Sequence, residues 1–355
     1  MKTKLVSQTE IQHVVEALQA GQVVAIPTET VFGFAVLASR KDAYERLYEI
    51  KKRTTEKAFP VVVHNFETIN KLAVPSFMAH RIIQQFLPGP LTIVLPARKD
   101  LPPHMNGGLD SIAIRIPDHT FVRTLMAALN EPILLTSANI SGQPPLLDDT
   151  HVMKQFEGVI DMVVRGNCSA AVPSTIVKVE DGKLLLLREG SIPFANIQSF
   201  ARQPFLISIG SDHAALEMKT AMVQHLKSQG IEVSDVGTHS KESSDYPIYA
   251  INAAEMVAKG IAQLGIVICG TGIGASIAAN KVKGIRAALV QSVEFAQLAK
   301  QHNDANVLAL SGRFQTPEAN AAMIDAWLQS FYEAGRHTRR VNQISQYELG
   351  RKNNE

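Results

Sequence analysis

Leu264–Lys281, LGIVICGTGIGASIAANK, is the stretch from which the rest of the chain is best read. Gly265 to Ile268 is a short apolar run that reads as a buried strand. Cys269-Gly270-Thr271-Gly272-Ile273-Gly274 follows as a glycine-rich turn, and residues 275–281, rich in Ala and Ile, read as a helix. Strand, glycine turn and helix together aim unpaired backbone N–H groups and the positive end of a helix dipole at an anion. A thiol and a hydroxyl sit in the same turn, so a reactive group faces that anion. Two other readings compete, a dinucleotide-binding fingerprint and a bare tight turn. The first lacks the acidic residue expected at the end of a following strand, since 285–290 runs toward Gln291. The second gives no reason for Cys, Thr and three glycines to crowd together.

Working outward, strands are expected at 205–209, 231–235, 285–290 and 307–310, and helices at 215–229, 249–263, 293–301 and 317–331. Such alternation means a doubly wound, Rossmann-like parallel sheet whose sites lie at the carboxyl ends of its strands. The first of these strands ends in Gly210-Ser211-Asp212-His213 and the last in Ser311-Gly312-Arg313. His213 beside Asp212 at a strand end is a better candidate for chemistry than a lone surface histidine. His302-Asn303-Asp304 falls between a helix and the last strand. Arg336-His337-Thr338-Arg339-Arg340 reads either as a solvated helix face or as the phosphate clamp for a small sugar.

The first half of the chain has a different texture. Residues 11–20 read as a helix closed by Gly21, and 23–26 as a strand running into Pro27-Thr28-Glu29-Thr30-Val31-Phe32-Gly33, a turn packed with hydroxyls. A helix over 42–52 ends in Lys51-Lys52-Arg53, where cations are favourable through the helix dipole alone. Strands are expected at 59–64, 91–95 and 111–117, the last with Arg115 in need of a partner. Residues 132–135 lead into Thr136-Ser137-Ala138-Asn139-Ile140-Ser141-Gly142, a second hydroxyl-rich turn. Taken one at a time these turns are plain loops. Together, with Arg115 and Arg188 on otherwise apolar segments, they are what lines a pocket for phosphates and a carboxylate.

Bulk properties bound the reading. At 355 residues the chain is comfortable as two domains, and 46% hydrophobic with 19% charged residues describes an ordinary globular core. A formal net charge of +2 argues against non-specific attraction to nucleic acid or membrane as the main business. Cys168 and Cys269, far apart, give neither a disulfide framework nor a zinc ligand set, and Cys168 reads as a structural or incidental thiol. The first residues are amphipathic rather than a signal peptide, and no apolar run is long enough to span a bilayer, so the cytoplasm is expected.

Six ordered motifs of the first half resemble the YrdC-type threonylcarbamoyl-AMP synthases. They are residues 24–33, the Lys51/Arg53 pair, PGPLTIVL at 88–95, AIRIP at 113–117, SANISG at 137–142 and PSTIV at 173–177. The resemblance implies an α/β domain with a twisted mixed sheet around a basic cleft. It implies condensation of L-threonine, bicarbonate and ATP into threonylcarbamoyl-adenylate and pyrophosphate, which serves tRNA modification, with Mg²⁺ as co-ligand of ATP. Carried over, Arg53, Lys57, Ser111, Ser137, Asn139 and Arg188 hold ATP, while Thr30, Arg115 and Ser174 hold threonine, Arg115 taking its carboxylate. The sequence departs from the family at Phe32, where Tyr is usual, at Thr54, where Pro is usual, and at Val62, where part of the family has a threonine-contacting His; His64 stands two positions on.

The second half resembles, motif for motif, the type B ribose-5-phosphate isomerases and their relatives acting on allose or galactose 6-phosphate. SDHA at 211–214, Glu242 with Asp245-Tyr246-Pro247, ICGTGIG at 268–274, SIAANKVKGIRAA at 276–288, HNDANVLAL at 302–310 and GRHTRRV at 335–341 carry it. The resemblance implies a homodimer that builds each site from both subunits. Aldose–ketose isomerisation moves a proton between adjacent carbons through an enediolate, so a base must sit beside an oxyanion hole. Cys269 as thiolate is the base, Thr271 orients the hydroxyl proton, and backbone N–H groups of Gly270, Gly272 and Gly274 face the enediolate oxygen. His302, with Asp212, opens the furanose ring, and Asn303 holds a sugar hydroxyl. His213, Arg336 and Arg340 bind the phosphate. No metal is expected.

The expected organisation is therefore a YrdC-like domain at 1–193, a linker at 194–204 and an isomerase domain at 205–355. The competing reading makes the second domain the only working enzyme and the first a degenerate nucleotide-binding or RNA-binding module.

Overall fold

The computed structural model describes residues 2–52, 58–168 and 170–350. It divides into two compact units, residues 1–202 and 203–355, each with its own sheet.

In the first unit the strands are β1 (Lys4–Val6), β2 (Val24–Ile26), β3 (Gly33–Leu37), β4 (Val61–Val62), β5 (Leu91–Pro96), β6 (Ser111–Arg115), β7 (Ile133–Ser137), β8 (Met162–Val164), β9 (Thr175–Glu180) and β10 (Lys183–Arg188). Their order across the sheet is β1-β8-β2-β3-β7-β4-β6-β5-β9-β10, with parallel and antiparallel pairs mixed. Ile11–Gln19 and Thr120–Leu129 put Val14, Leu18, Val122 and Leu125 against one face, together with Val24, Ile26 and Ile133. Burial of such side chains is worth roughly 1.5–3 kcal/mol each, which explains why short strands suffice here. Of the strand expected at 59–64 only Val61–Val62 is regular strand, with the Pro60 carbonyl accepting from the Leu135 N–H at 3.0 Å and the Val63 N–H donating to the Arg115 carbonyl at 3.1 Å on either side of it.

Residues 194–204, expected to be a linker, are for most of their length a helix, Phe194–Ala201. Its sequence has the apolar spacing of an amphipathic turn, and the structure uses it. Ile197 is buried, and Phe200 lies edge-on to Phe86 at 5.6 Å with the Arg81 guanidinium 5.2 Å from the Phe200 ring.

In the second unit β11 (Leu206–Ser211), β12 (Glu232–Asp235), β13 (Leu264–Cys269), β14 (Ala287–Leu289) and β15 (Val307–Ser311) are all parallel, in the order β12-β11-β13-β15-β14. The order reverses between β11 and β13, which opens a crevice beyond their carboxyl ends. Alanines make the layers close. Ala250, Ala253 and Ala254 of Tyr246–Ala258 meet Ala275, Ala278 and Ala279 of Ile273–Ala279 in one core. Gly210 is required for the same reason: a Cβ there would lie 2.3 Å from the carbonyl oxygen of Tyr249 in spirit of a direct clash, so backbone passes against backbone. In the helix Pro317–Leu328 Trp327 is buried, and its indole N–H donates to the Ala305 carbonyl at 3.2 Å. No helix among the described residues is long and apolar enough to cross a membrane.

Candidate active sites

The first unit holds a cavity of about 390 Å³. Sheet pairing explains its walls. Gly33 at the start of β3 is in register with Ser137 at the end of β7, and the Ala138 N–H donates to the Phe32 carbonyl at 2.7 Å. The two hydroxyl-rich turns, about a hundred residues apart in sequence, are thereby neighbours. On the far side Thr175 of β9 pairs with Leu91 of β5, bringing Ser174 beside Thr92, their hydroxyls 2.9 Å apart. Of the sequence-predicted residues, Thr30, Ser111, Arg115, Ser137, Ser174 and Arg188 line this cavity. Asn139 lies behind it, buried, and accepts from the Ser137 hydroxyl at 2.7 Å. Arg53 and Lys57 lie outside the described residues.

Each polar wall is held from behind. The Thr28 hydroxyl accepts from the backbone N–H groups of Thr30 and Val31, at 3.1 and 3.2 Å, and donates to the Val31 carbonyl at 2.7 Å, which closes the 27–32 turn on itself. Arg115 finds the partner its place in a strand demands: Nη2 donates to Glu29 Oε1 at 2.7 Å and to the Thr30 hydroxyl at 3.1 Å. Glu29 Oε1 also accepts from the Asp118 N–H at 3.1 Å. Arg115 lines the cavity, and its Nε is buried without a hydrogen-bond partner. Arg188 Nη2 donates to the Ser174 carbonyl at 2.7 Å and to its hydroxyl at 3.2 Å.

Lys51 corrects the dipole reading of the helix end. It is only 2% exposed, and its Nζ donates to Ser137 O at 2.5 Å, Asn139 O at 2.9 Å and Asn139 Oδ1 at 2.8 Å. It ties the SANISG turn to the helix Lys41–Lys51. Sequence reasoning missed this role and that of Glu29, because neither is marked by anything but residue type. Burial pushes the Cys168 thiol up to about 11, so it stays protonated and unreactive.

In the second unit Cys269 ends β13, buried, and Ser211 of β11 pairs with its neighbour Ile268. Asp212 is thus next to Cys269 across the crevice, and its Oδ1 is buried without a hydrogen-bond partner. The Gly272 N–H donates to Cys269 Sγ at 3.2 Å, so the turn solvates sulfur by its backbone. Gly272 takes φ +79°, and a Cβ there would meet Leu289 Cδ1 at 2.6 Å. Gly274 leaves room for the Tyr246 ring, which any side chain at 274 would strike. Thr271 is exposed, its hydroxyl accepting from the Ile273 N–H at 3.3 Å. His213 Nδ1 lies 3.0 Å from the Ser244 N–H nitrogen and 3.2 Å from the Ser244 carbonyl oxygen, so Ser244 anchors the ring through this nitrogen. Arg313, noted in the sequence only as a strand end, lies along this turn: its N–H donates to the Gly270 carbonyl at 3.1 Å, and its side chain covers the space a Cβ of Gly270 would enter, 3.4–3.5 Å away.

His302, Asn303, Arg336 and Arg340 are elsewhere. The helix Val293–Asn303 ends where β15 begins, so His302 and Asn303 lie at the amino end of the parallel sheet. Cys269 is in register with Ser311 and Gly265 with Val307, and four residues of strand at about 3.3 Å each put roughly 13 Å or more between the two groups along the sheet. His302 and His337 stack in parallel, ring centroids 4.2 Å apart, and Glu333 Oε2 lies 3.7 and 3.6 Å from their Nε2 atoms. Arg336 Nε donates to His337 Nε2 at 3.2 Å, and Arg340 Nη1 to the Arg336 carbonyl at 3.3 Å. Burial, then the neighbouring His302 and Arg336, hold the His337 imidazole below its ordinary value.

These two units define a fused pair of α/β proteins with a polar pocket in one and a thiol-bearing strand-end turn in the other. A family model described as Telomere recombination matches residues 16–190, and one described as Ribose/Galactose Isomerase matches residues 207–344. Ribose-5-phosphate isomerase B of Escherichia coli K12 is 48% identical over 145 residues, 41% of this chain and 97% of that protein. A protein of Methanocaldococcus jannaschii named "Putative threonylcarbamoyl-AMP synthase" is 39% identical over 186 residues, 51% of this chain and 84% of that protein. A solved structure of a Sua5 variant from P. abyssi is 25% identical with a TM-score of 0.54, covering 81% of this chain and 99% of that one. The chain belongs to the ribose-5-phosphate isomerase B family through its second unit and to the threonylcarbamoyl-AMP synthase family through its first.

Proposed function

We propose that one cytoplasmic chain carries two activities, interconversion of ribose 5-phosphate and ribulose 5-phosphate in the second unit and synthesis of threonylcarbamoyl-AMP in the first. The observation that carries this reading is convergence: six residues assigned by family resemblance line one cavity in the first unit, and Asp212, His213 and the Cys269 turn gather at the strand ends of the second.

In the second unit Cys269 as thiolate takes the proton from one carbon of the opened sugar and returns it to the next. The N–H groups of the 270–274 turn face the enediolate oxygen as donors fixed in place before the reaction. Asp212, with an oxygen awaiting a donor, suits a sugar hydroxyl. His213 Nε2 and Arg313 suit the phosphate. His302, Asn303, Arg336 and Arg340 do not reach this crevice from their own chain, which supports a homodimer in which the partner supplies them. Ile273 and Ile277, 52% and 57% exposed one helical turn apart, and Phe295, 57% exposed, give such a dimer apolar surface to cover.

In the first unit the Arg115 donors take the threonine carboxylate, while Thr30 and Ser174 orient the rest of the amino acid. Ser111, Ser137 and Arg188, with Arg53 and Lys57, hold the triphosphate. Attack of a carbamate oxygen on the α-phosphate then depends on positioning and charge neutralisation, and no protein nucleophile is needed. Mg²⁺, which neutralises phosphate charge, would be held chiefly by phosphate oxygens and water. The product serves tRNA modification, which makes tRNA or proteins acting on it the partners.

A paired assay of the purified chain tests the reading. Ribose 5-phosphate should be converted without added ATP, and pyrophosphate should form only with threonine, bicarbonate and ATP all present. Pyrophosphate formation without threonine, or salt-sensitive tRNA binding in place of any turnover, overturns the proposal for the first unit. Absence of ribulose 5-phosphate overturns it for the second.

A further inference from the structure

We propose that His302, Glu333 and His337 form a site for a divalent transition metal of the zinc class, and that its occupancy withdraws His302 from sugar chemistry. Two imidazoles and a carboxylate are a set that zinc favours, and three protein ligands leave a fourth position for water or a phosphate oxygen. Their donor atoms all lie within 4.8 Å of one another. Donors on a tetrahedral zinc, at about 2.0–2.1 Å from it, are roughly 3.3 Å apart, so the Glu333 oxygen needs to close on each Nε2 by only about 0.4 Å, while the two stacked rings tilt so that their Nε2 lone pairs converge.

The scaffold holds the three in place before any metal arrives. Glu333 and His337 are four residues apart, on either side of the turn into the helix Arg336–Glu348. The Glu333 N–H donates to the Gln301 carbonyl at 3.0 Å, pinning this turn to the end of the helix that carries His302. The His337 N–H is fixed on the Ala334 carbonyl at 3.0 Å. Both Nε2 atoms lie within 3.7 Å of the same carboxylate oxygen. Arg336 Nε, which donates to His337 Nε2, must give way, and its side chain is exposed and able to turn outward. His302 and Glu333 are open enough for an ion to enter, while His337 backs the site from inside.

The site stands on these side chains alone; its effect on turnover rests on the isomerase reading. The test is calorimetric titration of the metal-free full chain with Zn²⁺, with Co²⁺ as the spectroscopic probe. One Zn²⁺ per chain is expected, weakened more than about tenfold by Glu333→Gln and by His337→Gln, with Trp327 fluorescence confirming that both variants fold. Bound Co²⁺ should show four-coordinate visible bands with no sulfur-to-cobalt charge transfer. In parallel Zn²⁺ should inhibit ribose 5-phosphate isomerisation, EDTA should restore it, and Glu333→Gln should need about tenfold more Zn²⁺ for the same inhibition. No binding, affinity unchanged in both variants, or a thiolate band pointing to Cys269 or Cys168 overturns the site. Binding that leaves the rate untouched overturns the regulatory half. A chain that binds as expected but never isomerises removes the isomerase reading and leaves the metal site standing.

Discussion

The two units solve the problem of gathering distant residues in opposite ways. In the first, mixed pairing places β3, β7, β6 and β9 so that their loops open on one cavity, and six assigned residues line it within one chain. In the second, every strand runs the same way, so strand-end loops collect at one edge and helix-end loops at the other. Cys269 and Asp212 are on the first edge, His302 and Asn303 on the second. A purely parallel sheet cannot bring those groups together by itself, whereas a mixed sheet can. The lesson is that topology alone decides which site a single copy completes.

The largest expected effect tests the chemistry on the strand-end edge. Cys269→Ala should lower isomerase turnover by about three orders of magnitude, the scale of losing a positioned base, with an unchanged circular dichroism spectrum. Retained turnover would remove Cys269 from the reaction. The next experiment tests the division itself. A Cys269→Ala chain co-expressed with a His302→Ala chain gives half mixed dimers, each with one intact site of two, so activity should return to about a quarter of the unmodified rate. If both edges served one copy, the mixture would stay inactive.

A smaller effect probes the self-contained cavity. Arg115→Lys keeps the charge but loses the planar fork, and should raise the threonine KM by about tenfold while leaving isomerisation alone. Equal loss of both activities would show that the units are not separate in function. The smallest expected effect is on stability in acid. Burial pushes His80 in the first unit down to about 3 from the ordinary 6.5. The unfolded chain therefore binds a proton in this range that the folded one refuses, and stability falls as pH drops through 6.5 toward 3. The cost is about 1 kcal/mol by pH 5.5. Urea unfolding of the first unit, compared at pH 7 and 5.5 with and without His80→Gln, reads it; identical stability at both pH values would contradict a buried neutral imidazole.

Much of this was legible in the residues. Alternating apolar runs and glycine turns announce the parallel sheet, and Cys269-Gly270-Thr271-Gly272 announces its own turn because Gly272 needs a positive φ. What stayed hidden depends on contacts that sequence does not encode. Lys51 looks like a surface cation until the 137–139 carbonyls are seen around it. Glu29 is one acid in a run of hydroxyls until Arg115 is placed 2.7 Å away. Arg313 is a strand end until Gly270 is seen beneath it. The 194–204 stretch reads as a connector because only Phe86 and Arg81, far upstream, give Phe200 something to pack on.

The indole at position 327 is the chain's only one. Sealed in the second unit and tethered to Ala305, it makes emission excited at the red edge, where tyrosine does not absorb, a report on that unit alone, with no label attached. Iodide, shut out while the packing holds, should begin to quench the emission only when that unit opens, which separates its melting optically from that of the rest of the chain.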